Sequence, residues 1–600
     1  MHFDSSARNE GSPAWRVAAA RTCLAATIAV AAGCGQEPRT TGEAPRELPR
    51  SGGTFVMAQD APNGLDPAYV DDVYEATVVN QIFDGLLAFD MHLNTVPGVA
   101  SSWVISADGT EYTFALRRGV HFHDGSPVTA EDAAYSLQRV FDLPEEDVGL
   151  ARQYLCHILG TDDYVHGRTP SIRGLEVVSP DTLSIRLSKP YASFLAVLAS
   201  ELARIVPKHY VEQVGAAEFA RHPVGCGPFR FAHWDVDRIV LTRFAEYGRS
   251  PVYLDSLVFE LPAENARDYA VSRLLEGRIS AAVVPDGRLS ELQAQRTLPL
   301  LLRQELSLSF IGLNQNRKPF DDVRVRRAFA HAIDQDALVR SPTGGRILPN
   351  GILPPGMPGY TPEIKRLAHD PEQARRLLAE AGYPNGEGLP PIIHTSANQS
   401  EQARRLFEDI RAQVARVGFD LRSELLGWRE FSNRLTTQDL QCFTVTWVAD
   451  IPDPDSFLSP MCSSGGAANF EGYTSPEVDA LLLHGRGTRS SLERLKVYQT
   501  AERLVLRDAP IVPLFHPLGA MLVLGNVRDL QLTAMGVGNL AMEKVWLASE
   551  SGAPPQLTNA AVTAGATTAA TAVVESEKRV SSQPSNTARG LPTVIPGRIP

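Results

Sequence analysis

The sequence predicts a mixed α/β protein built from two lobes. With 600 residues, the chain is long enough to bury more than one hydrophobic core. Segments with the alternation of strands and segments with the spacing of helices follow one another along the chain, which is typical of mixed folds. Hydrophobic residues make up 44% and charged residues 21% of the chain, and this balance is ordinary for soluble globular domains.

Short runs of β-branched and aromatic residues predict the strands. In Tyr112–Leu116 the side chains alternate as expected for a strand with one buried face. The other predicted strands are Thr54–Ala58, Ile239–Leu241 and Phe443–Thr446.

Capping residues and apolar residues at helical spacing predict the helices. Thr129 is a good N-cap for a helix to Asp142, and Asp132 three residues later completes a capping box. A second helix ends at Leu483, with Ser475 as N-cap and Pro476 at the first helical position. Further amphipathic helices are predicted at Val323–Leu338, Pro371–Ala381 and Leu492–Leu506.

The N-terminus has the features of an export signal. An uncharged run, Thr22–Gln36, follows basic residues, and its apolar centre is too short to cross about 30 Å of hydrocarbon. The run Val30–Cys34 resembles a bacterial lipobox. We therefore expect residues 1–33 to be a lipoprotein signal peptide and Cys34 to carry the lipid. An ordinary signal peptide with a coincidental Cys is the alternative.

Two segments lack the apolar groups of a packed domain. Residues 34–51 are rich in Gly, Pro, Thr, Glu and Arg, and we interpret them as a flexible tether. Residues 550–600 are rich in Ala, Thr, Ser and Pro and contain no aromatic residue, so we predict a disordered tail. The globular body then lies between them.

The net charge of the chain argues against nucleic acid as a partner. The net charge of −12 is unsuited to nucleic acid, which needs clusters of Lys and Arg.

Four cysteines lie in the body, and an exported compartment permits disulfides between them in any of three pairings. These cysteines are Cys156, Cys226, Cys442 and Cys462.

The chemistry of an enzyme is missing from the sequence. No metalloprotease, nucleophile-elbow or P-loop motif occurs. Cys226 lies between two Gly residues without a base nearby, so it is interpreted as a small buried residue and not as a nucleophile. His121 and His123 could share a metal ion, but Asp124-Gly125 directly after them predicts a tight turn. We predict a binding protein without catalytic residues, metal or cofactor.

Several segments resemble the family 5 extracellular solute-binding proteins, the oligopeptide, dipeptide and nickel-binding components of ABC importers. The first of them are Pro97–Trp103, Asp108–Phe114 and Leu116–Asp132. Similar segments follow in the same order at His222–Phe229, Asn314–Ala328, Ala332–Asp334, Asp370–Tyr383 and Asp508–Leu514.

The resemblance implies a two-lobed periplasmic-binding-protein fold with a hinge and a ligand cleft between the lobes. Lobe I would comprise residues 52–308 and 521–549, and lobe II residues 309–520. Closure about a hinge would enclose the ligand.

The resemblance also implies a function. The protein would be an extracytoplasmic receptor, lipid-anchored to the cell membrane in the periplasm or at the cell surface. It would capture short peptides as a monomer and deliver them to ABC permease subunits driven by cytoplasmic ATPases. The alternatives are a receptor for a metal chelate or glycoside on the same fold, and a sensory or scaffolding surface lipoprotein.

Three residues are the candidate ligand contacts. Asp450 matches the Asp that holds the peptide α-ammonium group in peptide-binding relatives, and a charge-assisted bond suits that task. Capping of a turn in a Pro-rich loop is the alternative role of Asp450. Trp447 and Trp428 resemble tryptophans that line side-chain pockets, although both could be core residues.

The peptide carboxylate has no evident partner. Dipeptide-specific relatives carry an Arg where this chain has the segment His394–Gln399, and tripeptide-type relatives carry one where Thr444 stands. Arg404 and Arg405 lie on the next helix, and we expect them to face solvent. A longer peptide, or a solute without a free carboxylate, fits this pattern better than a dipeptide.

Overall fold

The structure is a computed structural model that describes residues 47–549, apart from residues 71, 145–148, 264–265, 286 and 341–343. The predicted signal peptide (1–33), the lipid site Cys34 and the predicted tail (550–600) lie outside the described residues.

Strands occur along the whole described chain. They are β1 (Thr54–Ala58), β2 (Leu87–Phe89), β3 (Thr95–Pro97), β4 (Ala100–Ile105), β5 (Glu111–Leu116), β6 (Leu175–Ser179), β7 (Thr182–Arg186), β8 (Phe229–Trp234), β9 (Arg238–Arg243), β10 (Ser256–Glu260), β11 (Ala281–Val283), β12 (Leu300–Gln304), β13 (Ser307–Leu313), β14 (Arg346–Ile347), β15 (Ile392–Ser396), β16 (Leu421–Leu425), β17 (Cys442–Val448), β18 (Ile511–Val523), β19 (Val527–Arg528) and β20 (Trp546–Leu547).

Helices alternate with these strands. They are α1 (Val73–Ile82), α2 (Ala130–Arg139), α3 (Gly149–Leu155), α4 (Thr161–Val165), α5 (Phe194–Ala199), α6 (Lys208–Val214), α7 (Ala216–Arg221), α8 (Ala266–Leu275), α9 (Leu289–Gln295), α10 (Val323–Ala332), α11 (Gln335–Val339), α12 (Pro371–Glu380), α13 (Glu401–Ala415), α14 (Trp428–Thr436), α15 (Asp455–Cys462), α16 (Pro476–Gly487) and α17 (Ser491–Asp508). The predicted mixed α/β class is confirmed.

Three larger sheets organise the described chain. One has the order β1-β10-β9-β8, with β1 and β10 parallel and the other pairs antiparallel. A second, antiparallel sheet has the order β4-β5-β7-β6. The largest has eight strands, with the path β11-β18-β13-β17-β15-β16 and with β12 and β14 also paired to β18.

Strand β18 links two parts of the largest sheet. Its residues 511–515 pair with β13, and its residues 518–523 pair with β12 and β11. The lobe boundary expected between residues 520 and 521 thus falls inside one continuous strand. Every residue of β13 is buried, as expected for a strand covered on both faces.

Most predicted elements are confirmed, and one helix is wrong. The capping box of Thr129 and Asp132 is present, and Ser475 caps α16. The predicted helix Val323–Leu338 is instead two helices, α10 and α11. The break occurs because Asp334 is an N-cap, and its carboxylate accepts the Ala337 backbone N–H and so starts a new helix.

The body cysteines form no disulfide. Cys226, Cys442 and Cys462 are buried and free, and Cys156 is exposed and free. Burial raises the pKa of the Cys226 thiol well above its usual value, so the predicted role as a small buried residue is confirmed.

Within the described ranges, no helix has the length and apolar content needed to span a bilayer.

Candidate ligand-binding site

Asp450 lies in the loop that joins β17 to α15. β17 pairs with β13 along its whole length, and the loop that follows contains Pro452 and Pro454. A proline has no N–H for a strand ladder, so the chain leaves the sheet where β17 ends. Ile451 is fully buried in a hydrophobic core whose other buried members lie between residues 68 and 226. The loop is therefore anchored against the first part of the chain.

Among the described residues, only one of the two oxygens of the Asp450 carboxylate accepts a side-chain hydrogen bond. The Tyr154 hydroxyl donates to Asp450 Oδ2 at 3.0 Å, and the Ser456 hydroxyl donates to the same oxygen at 3.2 Å. The Asp450 backbone N–H in turn donates to Ser456 Oγ at 2.9 Å. No group of the described residues donates to Asp450 Oδ1, so this oxygen can accept a hydrogen bond from a ligand.

The electrostatics of Asp450 are those of a carboxylate without a cation. No Lys or Arg of the described chain forms an ion pair with it. Burial, and to a smaller extent the negative charge of Glu201, raise the pKa of Asp450 to about 7, although the hydrogen bonds from Tyr154 and Ser456 act to lower it. A ligand cation next to Oδ1 would stabilise the ionised form.

Trp447 and Asp450 both form a hydrogen bond with Ser456. The Trp447 indole N–H donates to the Ser456 carbonyl at 2.8 Å, while the Ser456 side chain contacts Asp450. The indole is half-buried and packs at the edge of a hydrophobic cluster. The structure therefore brings together two of the three predicted ligand contacts.

Trp428 is separate from this pair. It is the first residue of α14, its side chain is 51% exposed, and its ring packs against Phe431 with the centroids 5.9 Å apart. No hydrogen bond or ring contact joins it to Asp450 or Trp447 among the described residues. The core role of Trp428 is wrong, because half of its surface is open, and its role as a pocket wall stays a prediction.

Asp455, the first residue of α15, has the opposite environment. It is fully buried and accepts hydrogen bonds from Tyr191 at 2.8 Å and Tyr498 at 2.9 Å. Arg486 Nε lies 2.9 Å from Asp455 Oδ1 and 3.0 Å from Oδ2. Burial alone would raise the pKa of Asp455, but the Arg486 charge and the hydrogen bonds hold it below its usual value. Asp455 is therefore a structural ion-pair partner.

Asp453 is also paired within the protein. Arg494 binds both of its oxygens, Nη1 to Oδ2 at 2.8 Å and Nη2 to Oδ1 at 2.6 Å. Arg494 Nη2 also donates to Ser193 Oγ at 2.8 Å. This bidentate pair holds the loop to the segment before α5 and leaves Asp450 as the acid of the loop that has no basic partner among the described residues.

Two site residues were missed by sequence reasoning. Tyr154 is 296 residues from Asp450 along the chain. Glu201, the first residue of a short 3-10 helix (Glu201–Ala203), has a buried Oε2 atom that accepts no hydrogen bond in the described structure. Neither residue belongs to a recognisable motif, so no sequence signal could have identified them.

Residues 394–399 and Thr444, where the resemblance places the peptide carboxylate, include no Lys or Arg. His394 is buried, its Nε2 lies 2.7 Å from Thr444 Oγ1, and its ring packs against Phe407. Burial lowers the pKa of His394 to about 4, so it is neutral at physiological pH. Arg404 and Arg405 are exposed and pair with Glu401, which confirms that they face solvent.

The metal site considered at His121 and His123 is not formed. Gly225 N–H donates to His123 Nδ1 at 3.2 Å, and His123 Nε2 lies 3.1 Å from the Gly227 carbonyl, so both ring nitrogens are occupied. Asp124 and Gly125 form the predicted turn, with Gly125 at φ +87°. In the described part of the chain, no group of three or more His, Cys, Asp or Glu side chains could hold a metal ion.

Two relatives are similar in sequence to this chain over most of its length. Heme-binding protein A of Haemophilus influenzae is 31% identical over 84% of this chain and 94% of the relative. The dipeptide-binding protein of Escherichia coli is 26% identical over 76% of this chain and 88% of the relative.

A solved structure is similar in fold over the same region. The periplasmic binding protein DppA of Helicobacter pylori, in complex with the peptide STSA, superposes with a TM-score of 0.74 at 28% identity and covers 83% of this chain and 98% of that one. Its fold is the two-lobed α/β fold that the sequence predicted.

The family profile of bacterial extracellular solute-binding proteins, family 5 (middle region), matches residues 94–469, a segment that includes Asp450, Trp447 and Trp428. This match covers more than half of the chain, and it agrees with the relatives in sequence and in structure. The chain therefore belongs to the family 5 bacterial extracellular solute-binding proteins.

Proposed function

We propose that the protein is the receptor of an ABC importer that captures short peptides by their α-ammonium group. The observation that carries the proposal is the Asp450 carboxylate, which is partly buried, has no basic partner among the described residues and keeps Oδ1 without a donor. An ammonium group supplies the missing charge and N–H donors. The dipeptide-binding relative and the relative in complex with the peptide STSA support the same ligand class.

The ligand would be enclosed when two lobes close about a hinge. We assign residues 52–308 and 521–549 to lobe I and residues 309–520 to lobe II. The Tyr154 hydroxyl donates to Asp450, and the Arg494 guanidinium donates to Ser193. Both bonds join residues of the two proposed lobes, which supports a closed arrangement.

The peptide would be longer than a dipeptide. The neutral His394 and its partner Thr444 provide no cation at the place where dipeptide and tripeptide receptors hold the carboxylate. Trp447 and Trp428 would line pockets for peptide side chains, and the exposed indole of Trp428 suits a contact that tolerates many residues. The role of the protein would be binding without catalysis, as a monomer.

Delivery would take place outside the cytoplasm, at a membrane-anchored receptor. The family is extracellular, and the lipobox-like Val30–Cys34 supports a lipid on Cys34. The bound peptide would pass to a permease with cytoplasmic ATPases. We expect Cys34→Ser to abolish incorporation of a palmitate analogue in bacterial cells, and unchanged labelling would refute the anchor.

Native mass spectrometry of the purified protein, followed by calorimetry, tests the ligand class. We expect a co-purified peptide, and we expect tri- to nonapeptides to bind while their N-acetylated forms bind at least about tenfold more weakly, because acetylation removes the ammonium charge. Equal binding of free and acetylated peptides would contradict the proposal.

A metal chelate is the second candidate, because one relative is named for heme. The two propionate groups of heme are anionic, and a site that contains Asp450 and Glu201 would repel them. A haemin titration followed by absorption spectroscopy separates the candidates. Tight haemin binding that Asp450→Asn leaves unchanged would favour the chelate.

A further inference from the structure

A loop of one hydrophobic core contacts the helices of another. Residues 188–193 connect β7 to α5, whose buried side chains belong to a core formed mainly by residues 68–226. Helices α15 to α17 belong to a second core, whose buried members lie between residues 306 and 535. We call residues 188–193 the bridging loop, because it lies where these two separately packed parts of the chain meet.

Two buried side chains of the bridging loop form hydrogen bonds across the contact. The Tyr191 hydroxyl donates to Asp455 Oδ2 at 2.8 Å, and Arg494 Nη2 donates to Ser193 Oγ at 2.8 Å. All four residues are buried, with at most 6% of the surface of any of them exposed. Water is therefore excluded from the centre of the contact, and hydrogen bonds are stronger in such surroundings than in water.

Two bonds to backbone groups extend the contact beyond this buried centre. The Ala192 backbone N–H donates to the Arg486 carbonyl at 3.2 Å. The Arg489 guanidinium donates to the Ala107 carbonyl, in the turn that follows β4. The segment between α16 and α17 is thus held by two separate segments of the first core.

A bond from α3 joins the two cores at a further point. The Ala467 backbone N–H, after α15, donates to Gln153 Oε1 at 2.8 Å. Neither this bond nor those of the bridging loop involves β12, β13 or β18, the strands near which the proposed lobes are joined. None of them includes a candidate ligand contact. The contact is therefore complete without a ligand.

We propose that these contacts form a latch that holds the two proposed lobes closed in the unliganded protein. A ligand enters during brief openings and finds the closed arrangement already favoured. The apparent dissociation constant is the intrinsic constant divided by the closed fraction, so a mostly closed protein loses little affinity. The association rate is limited instead by the small open fraction. The inference rests on the lobe division of the proposed function but not on the identity of the ligand.

Hydrogen–deuterium exchange of the unliganded wild type tests the latch directly. In the closed protein the Ala192 and Ala467 amides are hydrogen-bonded across the contact, so they exchange only when the lobes separate. Mass spectrometry with fragmentation to single residues measures both amides. We expect both to exchange at least about tenfold more slowly than unprotected amides. Rapid exchange of both amides without peptide would overturn the latch.

A latch variant and a matched control sharpen the test. Gln153→Ala combined with Arg489→Ala removes two hydrogen bonds, each worth about a two- to tenfold change in the open fraction. We expect exchange at Ala192 to become at least about fourfold faster, and tetra-alanine to associate faster by a similar factor in stopped-flow tryptophan fluorescence. Arg411→Ala removes an exposed arginine that pairs with Glu408 on α13, and neither rate should change. Exchange at Ala192 that is the same in the latch variant and the wild type contradicts the inference.

The outcomes separate the latch from the proposed function. Slow exchange at Ala192 in a protein that binds no peptide supports the latch and refutes the proposed ligand. Peptide binding together with rapid exchange in the unliganded protein refutes the latch alone. A misfolded latch variant would also exchange faster throughout β13, and Arg489→Ala alone then decides, with an increase of about twofold or more expected at Ala192.

Discussion

Asp450 and Asp455 belong to one short segment, and each accepts a hydrogen bond from a tyrosine of the first part of the chain, Tyr154 and Tyr191 respectively. Asp455 has an Arg partner and two further hydroxyl donors, and its pKa is held below the usual value against burial. Asp450 has no cation within the described protein, and burial raises its pKa to about 7.

The comparison shows that two acids five residues apart in the chain differ in whether a basic partner within the protein neutralises their charge. The charge of Asp455 is neutralised from within, so its ion pair with Arg486 holds segments of the chain together. The charge of Asp450 has no counter-charge among the described residues, and under the proposed function a ligand cation would offset the cost of burying it. The following experiments test this contrast.

The largest effect is expected on the stability provided by Asp455. Asp455→Asn leaves the buried Arg486 without its counter-charge, and we expect the free energy of unfolding to fall by about 3–5 kcal/mol. Chemical denaturation at pH 7 measures it. Asp450→Asn is the matched control and should not destabilise the unliganded protein, because no ion pair is lost. Equal destabilisation by both variants would refute the contrast.

Ligand affinity should show the reverse pattern. Asp450→Asn removes one partner of a buried ion pair with the peptide ammonium, so we expect at least about a hundredfold loss of affinity, near the lower end of about 3–5 kcal/mol because Asn still accepts a hydrogen bond. N-acetylation of the peptide should weaken binding to the wild type and add little in the variant. Calorimetry on the four combinations measures the coupling, and additive losses would place Asp450 away from the ammonium.

The pH dependence of binding should follow Asp450. Because its pKa is raised to about 7, the carboxyl takes up a proton as the pH falls below 7 and loses its attraction for a cation. We expect peptide affinity to fall by at least about tenfold between pH 7 and pH 5. Calorimetry across this range measures the decline. The decline should disappear in Asp450→Asn, and a flat profile in the wild type would contradict the raised pKa.

The two acids should also shift the pH dependence of stability in opposite directions. The pKa of Asp450 in the unliganded fold lies above the unfolded value of 3.8, so its contribution to stability decreases as the pH rises from about 4 towards 7. The pKa of Asp455 lies below 3.8, so its stabilising contribution is present above that pH and is lost as the pH falls through the lowered value.

The smallest expected effects come from the two tyrosines. Tyr154→Phe removes one hydrogen bond to Asp450 and should weaken peptide binding by about 0.5–1.5 kcal/mol, with little change in stability. Tyr191→Phe removes one hydrogen bond to Asp455 and should lower the free energy of unfolding by a similar amount, with little change in binding. Paired calorimetry and denaturation would detect a reversal of these roles.

Local features were predicted well from the sequence. The caps at Thr129 and Ser475 and the turn at Asp124-Gly125 were found because the residues that form them are neighbours in the chain. The break before α11 was missed, since apolar spacing continues across Asp334 and only the observed cap reveals the interruption.

The candidate site was predicted only in part. Asp450 and Trp447 were identified through a resemblance carried by adjacent residues, and the structure joins them through Ser456. Without that resemblance, residue type alone would not distinguish Asp450 from Asp455, because both are acids in a Pro-rich segment.

The sequence by itself determined the fold class, the family and the position of the acidic loop, because periodicity, caps and short motifs depend on neighbouring residues. Only the tertiary structure shows that Asp455 is paired with Arg486, whereas Asp450 has no basic partner among the described residues. That outcome depends on burial and on partners 264 and 296 residues away, Tyr191 for Asp455 and Tyr154 for Asp450. Desolvation and Coulomb interactions act through space, so they are defined only when the folded chain brings these groups together.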